Sequence, residues 1–509
     1  MKDHPVIDTP YTWTYYRGQS PIRINYVARL KGVKTKPHTD PFTYLELGCG
    51  NGVTANALAA SFPRGVFVAA DMNPEHIDNA VGLAERGCLS NIRFINKRFE
   101  EIYNEDLPSF DYITLHGVYS WVSAEVRREI RDIIDKFLAP CGLVYVSYNT
   151  MPGWSAFLPL REIMLSHTAH MEEGTLAKVA EGLNFLKVFR DNNSAYFKNN
   201  PMAGMILDTW MKNDPHEAAH EFFNQSWHPQ YFSEVNAEME EIGLRFIGRT
   251  EFEMNFSDSM VAACLRPRLE DTKDAIEYEA LKSFIFNESF RRDVYCKDTA
   301  PTAQEGSESL FSDWIFGEFG IEKPPPRDGC NGKHEGKLNH VCKNVNGRRT
   351  VAELNLLAAL KPLEEDEITG CVHELVAASR LWPLAIPMRQ LDGVLPDKFS
   401  IVHDFNRTFL RERLVKDSHC YLASEVVGGC IKVNLIDGLL LLAGEEVGLS
   451  KAPVRVLEII EESGKPWRRN GKEVSDPAQR RRVLHDDHQA FCKTVVPWLL
   501  GTGIIEPSV

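Results

Sequence analysis

The residues best suited to chemistry sit in one short run, Tyr44-Leu45-Glu46-Leu47-Gly48-Cys49-Gly50-Asn51-Gly52. Apolar residues lead in, an acid stands at 46, and glycines occupy 48, 50 and 52 before a helical pattern starts at Val53. A strand that turns sharply into a helix against a ligand needs bare backbone where side chains would block the approach, and glycine supplies both the space and the left-handed dihedrals. Asp71 closes a second apolar run, 19 residues after Gly52. An acid at that place accepts both hydroxyls of an adenosine ribose. Each acid also has a local alternative: Glu46 as a cap for the following helix, and Asp71 as the N-cap of a helix from Asn73.

Two cofactor classes use such a layout. Dinucleotide sites carry G-x-G-x-x-G and rest a pyrophosphate on the helix N-terminus. A cofactor with an amino-acid tail and no phosphate instead matches an acid followed by three glycines at alternate positions. Glu46, Gly48, Gly50 and Gly52 follow this second pattern, so S-adenosyl-L-methionine is the expected cofactor. Gly48, Cys49, Gly50 and Gly52 would then pass beside its tail and ribose, and Glu46 would bind its amino group directly or through water. A P-loop and a nucleophile-elbow serine triad are both absent.

The elements that must position these residues read as alternating runs. Apolar stretches at 43–47, 65–70, 92–95, 112–115 and 143–147 alternate with helical patterns at 53–60, 73–86 and 125–138. That order predicts a parallel sheet covered by helices on both faces. Residues 154–223 read as helical, 232–242 as a helix and 244–250 as a strand returning to the same sheet, which makes 154–231 an inserted helical segment. Beyond it, 270–296 reads as amphipathic helix, 300–347 as a loop rich in Gly, Pro and Asn, and 350–381 as two short helices. The stretch 405–509 reads as mostly helical, broken by a turn at Asn470-Gly471. The expected fold class is α/β: a Rossmann-like sheet with inserted helices, then mainly helical (α+β) middle and C-terminal domains. The expected divisions are 1–42 as an N-terminal lid or cap, and 43–153 with 232–265 as the cofactor-binding domain. The others are 154–231 as the insertion, 266–400 as a middle domain and 401–509 as the C-terminal domain.

Composition bounds the setting. At roughly 100–200 residues per domain, 509 residues make several domains. The 71 acids against 57 bases give a net charge of −14, which argues against nucleic acid as a partner. No apolar run approaches the ~20 residues that span a bilayer, and no apolar leader follows Met1, so membrane insertion and secretion are not expected. Eleven cysteines without paired spacing suggest free thiols in a reducing cytoplasm.

Further motifs narrow the reading. His116-Gly117-Val118-Tyr119-Ser120-Trp121-Val122, with Val126-Arg127, follows the fourth strand, and Tyr145-Val146-Ser147-Tyr148-Asn149-Thr150, with Pro152-Gly153-Trp154, follows the fifth. With the glycine run, these segments resemble the class I S-adenosylmethionine-dependent methyltransferases that carry a methyltransferase regulatory domain, a group that includes the rickettsial lysine methyltransferases of outer-membrane proteins. Pro10-Tyr11 and Pro21-x-Arg23 fit the opening pattern of that group, and 290–296 fits the helix that opens its regulatory domain. The resemblance is strongest over 43–154 and loosest over 300–400.

The resemblance implies methyl transfer to an amine, foremost the ε-amine of lysine in a protein, with a small-molecule acceptor or a non-catalytic scaffold as the alternatives. Met72 would flank the adenine, His116 would face the cofactor, and Tyr16 with Tyr11 would fold over it as a lid. Family members commonly hold Asp near the end of the third strand for the adenine amine; Arg98 stands here, leaving the Phe99 backbone or the Glu100 carboxylate to serve. Tyr119, Trp121 and Tyr148 are the candidate catalytic residues, as an aromatic rim for a cationic amine, the alternative being packing against the inserted helices. Those helices would supply a homodimer face. A Cys330, His334, His340, Cys342 cluster has the ligand types for zinc but no standard spacing, and no metal is expected.

Overall fold

The computed structural model describes residues 12–224, 226–297, 311, 314–318, 349–350, 372–377, 379, 381–389, 395–417, 419–463, 467–469 and 472–508. Tyr11 and the Cys330–Cys342 cluster lie outside them.

Five parallel strands form as expected: β1 (Thr43–Leu47), β2 (Val66–Asp71), β3 (Ile92–Asn96), β4 (Phe110–Leu115) and β5 (Leu138–Asn149). Two more, β6 (Leu244–Arg249) and β7 (Phe290–Lys297), complete a seven-stranded sheet in the order 3-2-1-4-5-7-6. Side chains alternate between its faces. Tyr44, Phe67, Tyr112, Tyr145 and Val294 enter one core, while Leu45, Val68, Ile113, Val146 and Tyr148 enter the other. The chain leaves β1 towards β2 and later returns to β4 on its opposite side. Ligands bind outside the strand ends at such a switch point.

Strand β7 corrects the sequence reading. The sequence reads 270–296 as helix and 244–250 as the last strand of the sheet. Helix ends at Phe286, after Arg266–Asp271 and Ala275–Phe286, and β7 runs antiparallel between β5 and β6, so the sheet extends to 297. The period-two signal was hidden because one inward face carries charge. Arg291 has 0% exposure and reaches Asp293 at 3.1 Å, Glu279 at 3.0 Å and Glu288 at 3.2 Å. Arg249 on β6 pairs with Glu288, and the Tyr148 hydroxyl donates to Asp293 at 2.6 Å. These neighbours hold Glu279 and Glu288 low, at about 2 for Glu279, against the opposing pull of burial.

Between β5 and β6 lies a helical segment with a core of its own built on Trp154, Phe157, Phe222 and Trp227. Its helices include α-helices Leu158–Thr168, Thr175–Asp191, Pro201–Trp210 and Pro215–Phe222. The C-terminal part is less purely helical than its sequence suggested. A hairpin of His419–Ser424 and Gly429–Asn434 turns through Gly428, whose φ is +61°. It packs on the first sheet helix, Val53–Ser61, where Ser61 Oγ donates to the Gly429 carbonyl at 3.1 Å. Thr408 Oγ1 reaches the Arg86 carbonyl at 3.0 Å beside it. A short pairing of Arg468–Arg469 with Lys472–Glu473 spans the expected turn.

Removing Arg291 takes away the cation that three buried carboxylates share and leaves only Arg249 and Lys282 to hold them, so Arg291→Ala is expected to cost about 3–5 kcal/mol. Chemical denaturation of the intact chain measures this; a loss under about 1 kcal/mol, the range of an exposed pair, would contradict the buried pin.

Candidate functional site

The turn after β1 is built as its glycines require. Gly48, Gly50 and Gly52 have φ of +73°, +53° and +68°. Each answers a different need. A Cβ on Gly48 would stand 2.5 Å from Val118 Cγ2, in the loop after β4, and one on Gly52 would stand 2.4 Å from Ala80 Cβ, on helix Pro74–Arg86. The Gly50 amide donates to Asp71 Oδ2 at 2.9 Å. Asp71 Oδ1 accepts from the Asn73 amide at 2.9 Å and meets His76 Nδ1 at 3.3 Å. Asn73, not Asp71, is the helix N-cap, its side chain accepting from the Glu75 amide. Glycine turn and acid thus form one hydrogen-bonded unit.

A cavity of about 980 Å³ opens over this unit at the strand ends. Tyr16, Gly48, Asp71, Met72, Phe99, His116 and Trp121 line it. Cys49, Gly50 and Gly52 do not; they shape the turn from behind. The Cys49 thiol is buried, with its titration pushed well up by that burial. His116 stacks on Tyr16, ring centroids 3.8 Å apart, and its Nδ1 meets the Tyr145 hydroxyl at 2.8 Å. Burial, then the Arg292 charge, push its titration well down, so the ring is neutral at physiological pH. Arg98 lines the cavity next to Phe99, and its backbone amide donates to Glu101 Oε2 at 2.9 Å.

Glu46 lies just behind the wall, 3% exposed. One of its oxygens accepts from Gln19 Nε2 at 3.1 Å, while Oε2 is buried with no hydrogen-bond partner among the described residues. Burial pushes its carboxyl up to about 8, with the Asp71 charge adding and the Gln19 bond opposing. An unsatisfied buried carboxylate oxygen two residues before the glycine turn fits the amino group of an amino-acid tail.

Tyr119 and Tyr148 are not on the rim. Both have 0% exposure and neither lines the cavity. Tyr119 donates to Glu238 Oε2 at 2.5 Å and accepts from Arg131 at 3.3 Å; Tyr148 is held by Asp293. Strand β5 runs on through Asn149, so Tyr148 is still a strand residue facing the core. Trp121 alone of the three reaches the cavity.

Sequence reasoning missed the second wall, contributed by helix Pro215–Phe222. Glu217, His220 and Glu221 all line the cavity. Their i, i+3, i+4 spacing puts them on one helix face, the signal that could have flagged them. Burial pushes Glu221 up to about 7, with hydrogen bonds from Trp227 and Asn149 and the charge of Arg161 pulling down.

Comparison with known proteins decides the family. A methyltransferase-domain model matches residues 38–193, and a predicted methyltransferase regulatory domain matches 214–297. A Synechocystis protein described as uncharacterized, sll1526, is 30% identical over 511 residues, covering 98% of both chains. The chain belongs to the class I S-adenosylmethionine-dependent methyltransferases that carry a regulatory domain. The methyltransferase also aligns with uncharacterized RP789 of Rickettsia prowazekii, 27% identical over 58% of this chain and 53% of that one. Its fold matches PKMT2 of Rickettsia typhi, solved in complex with AdoHcy, at a TM-score of 0.74 and 17% identity, covering 97% of this chain and 100% of that one. The regulatory match contains β6 and β7, so it supplies the last two strands of the methyltransferase sheet. The cofactor is S-adenosyl-L-methionine. No helix among the described residues is long and apolar enough to cross a membrane.

The Glu46 carboxyl gives a signed test. Its folded value, about 8, lies above the ordinary 4.5, so its contribution to folding stability falls as pH rises between those values. A ligand ammonium favours the ionised form. Affinity for S-adenosylhomocysteine is therefore expected to rise up to about pH 8, with a proton released on binding near neutral pH. Calorimetry in buffers of different ionisation enthalpy detects that proton. Release undiminished in Glu46→Gln would contradict the assignment.

Proposed function

We propose that this methyltransferase acts on the ε-amine of lysine in a protein substrate. The observation that carries the reading is the charge of the cavity. Among its described lining residues are seven carboxylates, Glu125, Glu129, Glu217 and Glu221 included, against two cations, Lys97 and Arg98. An acidic wall favours a cationic acceptor, and the −14 charge of the chain adds long-range attraction.

Asp71 would hold the ribose, Gly48 would leave room for the tail, and Glu46 would neutralise its ammonium. Met72 and Phe99 would enclose the adenine, with Arg98 beside it. Tyr16, stacked on a neutral His116, would close the N-terminal side and exclude water. The bound cofactor supplies an electrophilic methyl group on a sulfonium sulfur. The chain's task is to orient the acceptor in line with it and to stabilise moving charge. A free lysine amine has a pKa near 10.4 and must lose a proton before it attacks. Desolvation in the cavity lowers that value, and the Trp121 face holds the cation by cation–π attraction.

The buried settings of Tyr119 and Tyr148 support a different part for them: tying the loop after β4 and the end of β5 to the helices behind. The inserted helices expose Val188, Phe189, Met202 and Met205, which supports the reading of that segment as a face for a second copy.

Incubation of a cell lysate with the enzyme and methyl-labelled S-adenosylmethionine tests the function. Label should appear in protein and yield methyllysine on hydrolysis. Label confined to the low-mass fraction would overturn the reading in favour of a small-molecule acceptor.

A further inference from the structure

The carboxylate of Glu221 is held in a particular way. Both hydrogen bonds that it accepts end on Oε1: one from Asn149 Nδ2 and one from Trp227 Nε1 at 2.7 Å. Among the described residues Oε2 accepts none, and Glu221 lines the cavity. The anchors are themselves fixed. Asn149 is the last residue of β5, and its amide donates to Ser120 Oγ at 2.8 Å. Ser120 lies between Tyr119 and Trp121, and its carbonyl accepts from the His228 amide at 2.8 Å. One chain of bonds therefore links Trp121's loop, the end of β5 and Glu221. On the far side Arg161 donates from Nε to the carbonyl of Phe222 at 2.9 Å and from Nη2 to that of Asn224 at 2.8 Å, which steadies the end of the helix. Its guanidinium lies 5.0 Å over the Trp227 ring.

A carboxylate on an acidic cavity wall, with one oxygen clamped and the other without a hydrogen bond among the described residues, is arranged to receive an amine. We propose that Glu221 is the acceptor-binding catalytic carboxylate, its Oε2 receiving the lysine ε-ammonium and taking one proton from it. This rests on the lysine reading above. In the step, the ammonium N–H bond breaks and its proton goes to Oε2. The neutral amine then forms the C–N bond to the methyl carbon as the S–C bond breaks, the electron pair of that bond staying on sulfur. The positive charge passes from sulfur to the methylated nitrogen. The ordinary Glu range would make a weak acceptor at neutral pH; burial brings Glu221 to about 7, where proton transfer is more nearly balanced.

The intact chain, saturated with S-adenosylhomocysteine, would be titrated with short poly-L-lysine and with its ε-acetylated form, and kcat for methyl transfer to poly-L-lysine would be measured separately with S-adenosylmethionine. Glu221→Gln should keep its affinity for S-adenosylhomocysteine within twofold, while losing at least tenfold in affinity for poly-L-lysine and a comparable factor in kcat. Glu221→Asp should recover part of the loss. Glu172→Gln, the same charge change at an exposed site of the insertion, should change neither. Glu221→Gln binding poly-L-lysine like wild type, with kcat unchanged, would overturn this proposal and leave the lysine reading standing. Wild type binding both polymers equally would overturn the lysine reading, and the proposal with it.

Discussion

Arg291 is a full guanidinium with no exposure, and three carboxylates surround it. A buried charge is tolerable only when its partners are fixed, because an unpaired one costs several kcal/mol. The segment 275–297 is bound by that condition. Glu279 comes from its helix, Glu288 from the following turn and Asp293 from the strand itself. Meeting the condition places β7 between β5 and β6. Asp293 in turn takes the Tyr148 hydroxyl, so the last turn of β5 is set by the same network. The next residue, Asn149, carries the bond to Glu221. A constraint in the regulatory match thus reaches the cavity wall in three residue contacts.

The cofactor side depends on a second, separate unit. There the Gly48–Gly52 turn, Asp71 and Val118 are mutually fitted, and substitution at either glycine would collide with a neighbour. Helix Val53–Ser61, which starts from this turn, is covered by the C-terminal hairpin. The great length of the chain beyond its cofactor motif therefore has a physical use. It seals the helix behind the glycine turn, while the insertion builds the opposite wall.

The sequence was most legible where a single rule governs. Strands β1 to β5 show plain apolar runs, and Glu46, Gly48 and Asp71 follow from the demands of the turn. It was least legible where tertiary partners override local pattern. Arg291 and Asp293 made β7 look solvated and helical, since nothing nearby in sequence announces Glu279 or Arg249 as partners. Tyr148 was read as a loop aromatic because β5 runs to Asn149 rather than ending at 147. Tyr119 looked the same as Trp121 in sequence, but Glu238 and Arg131 draw it into the interior. Glu221 carried only a faint signal, an acidic helix face whose target lies in another part of the chain.

The central claim is that one cavity holds the methyl donor against the Asp71 side and the acceptor against the Trp121 and Glu221 side. A crystal structure with S-adenosylhomocysteine bound tests it most directly. The ribose hydroxyls should rest on Asp71, and the sulfur should face the Trp121–Glu221 wall. A ligand bound elsewhere, or one with its sulfur turned away from that wall, would contradict the account.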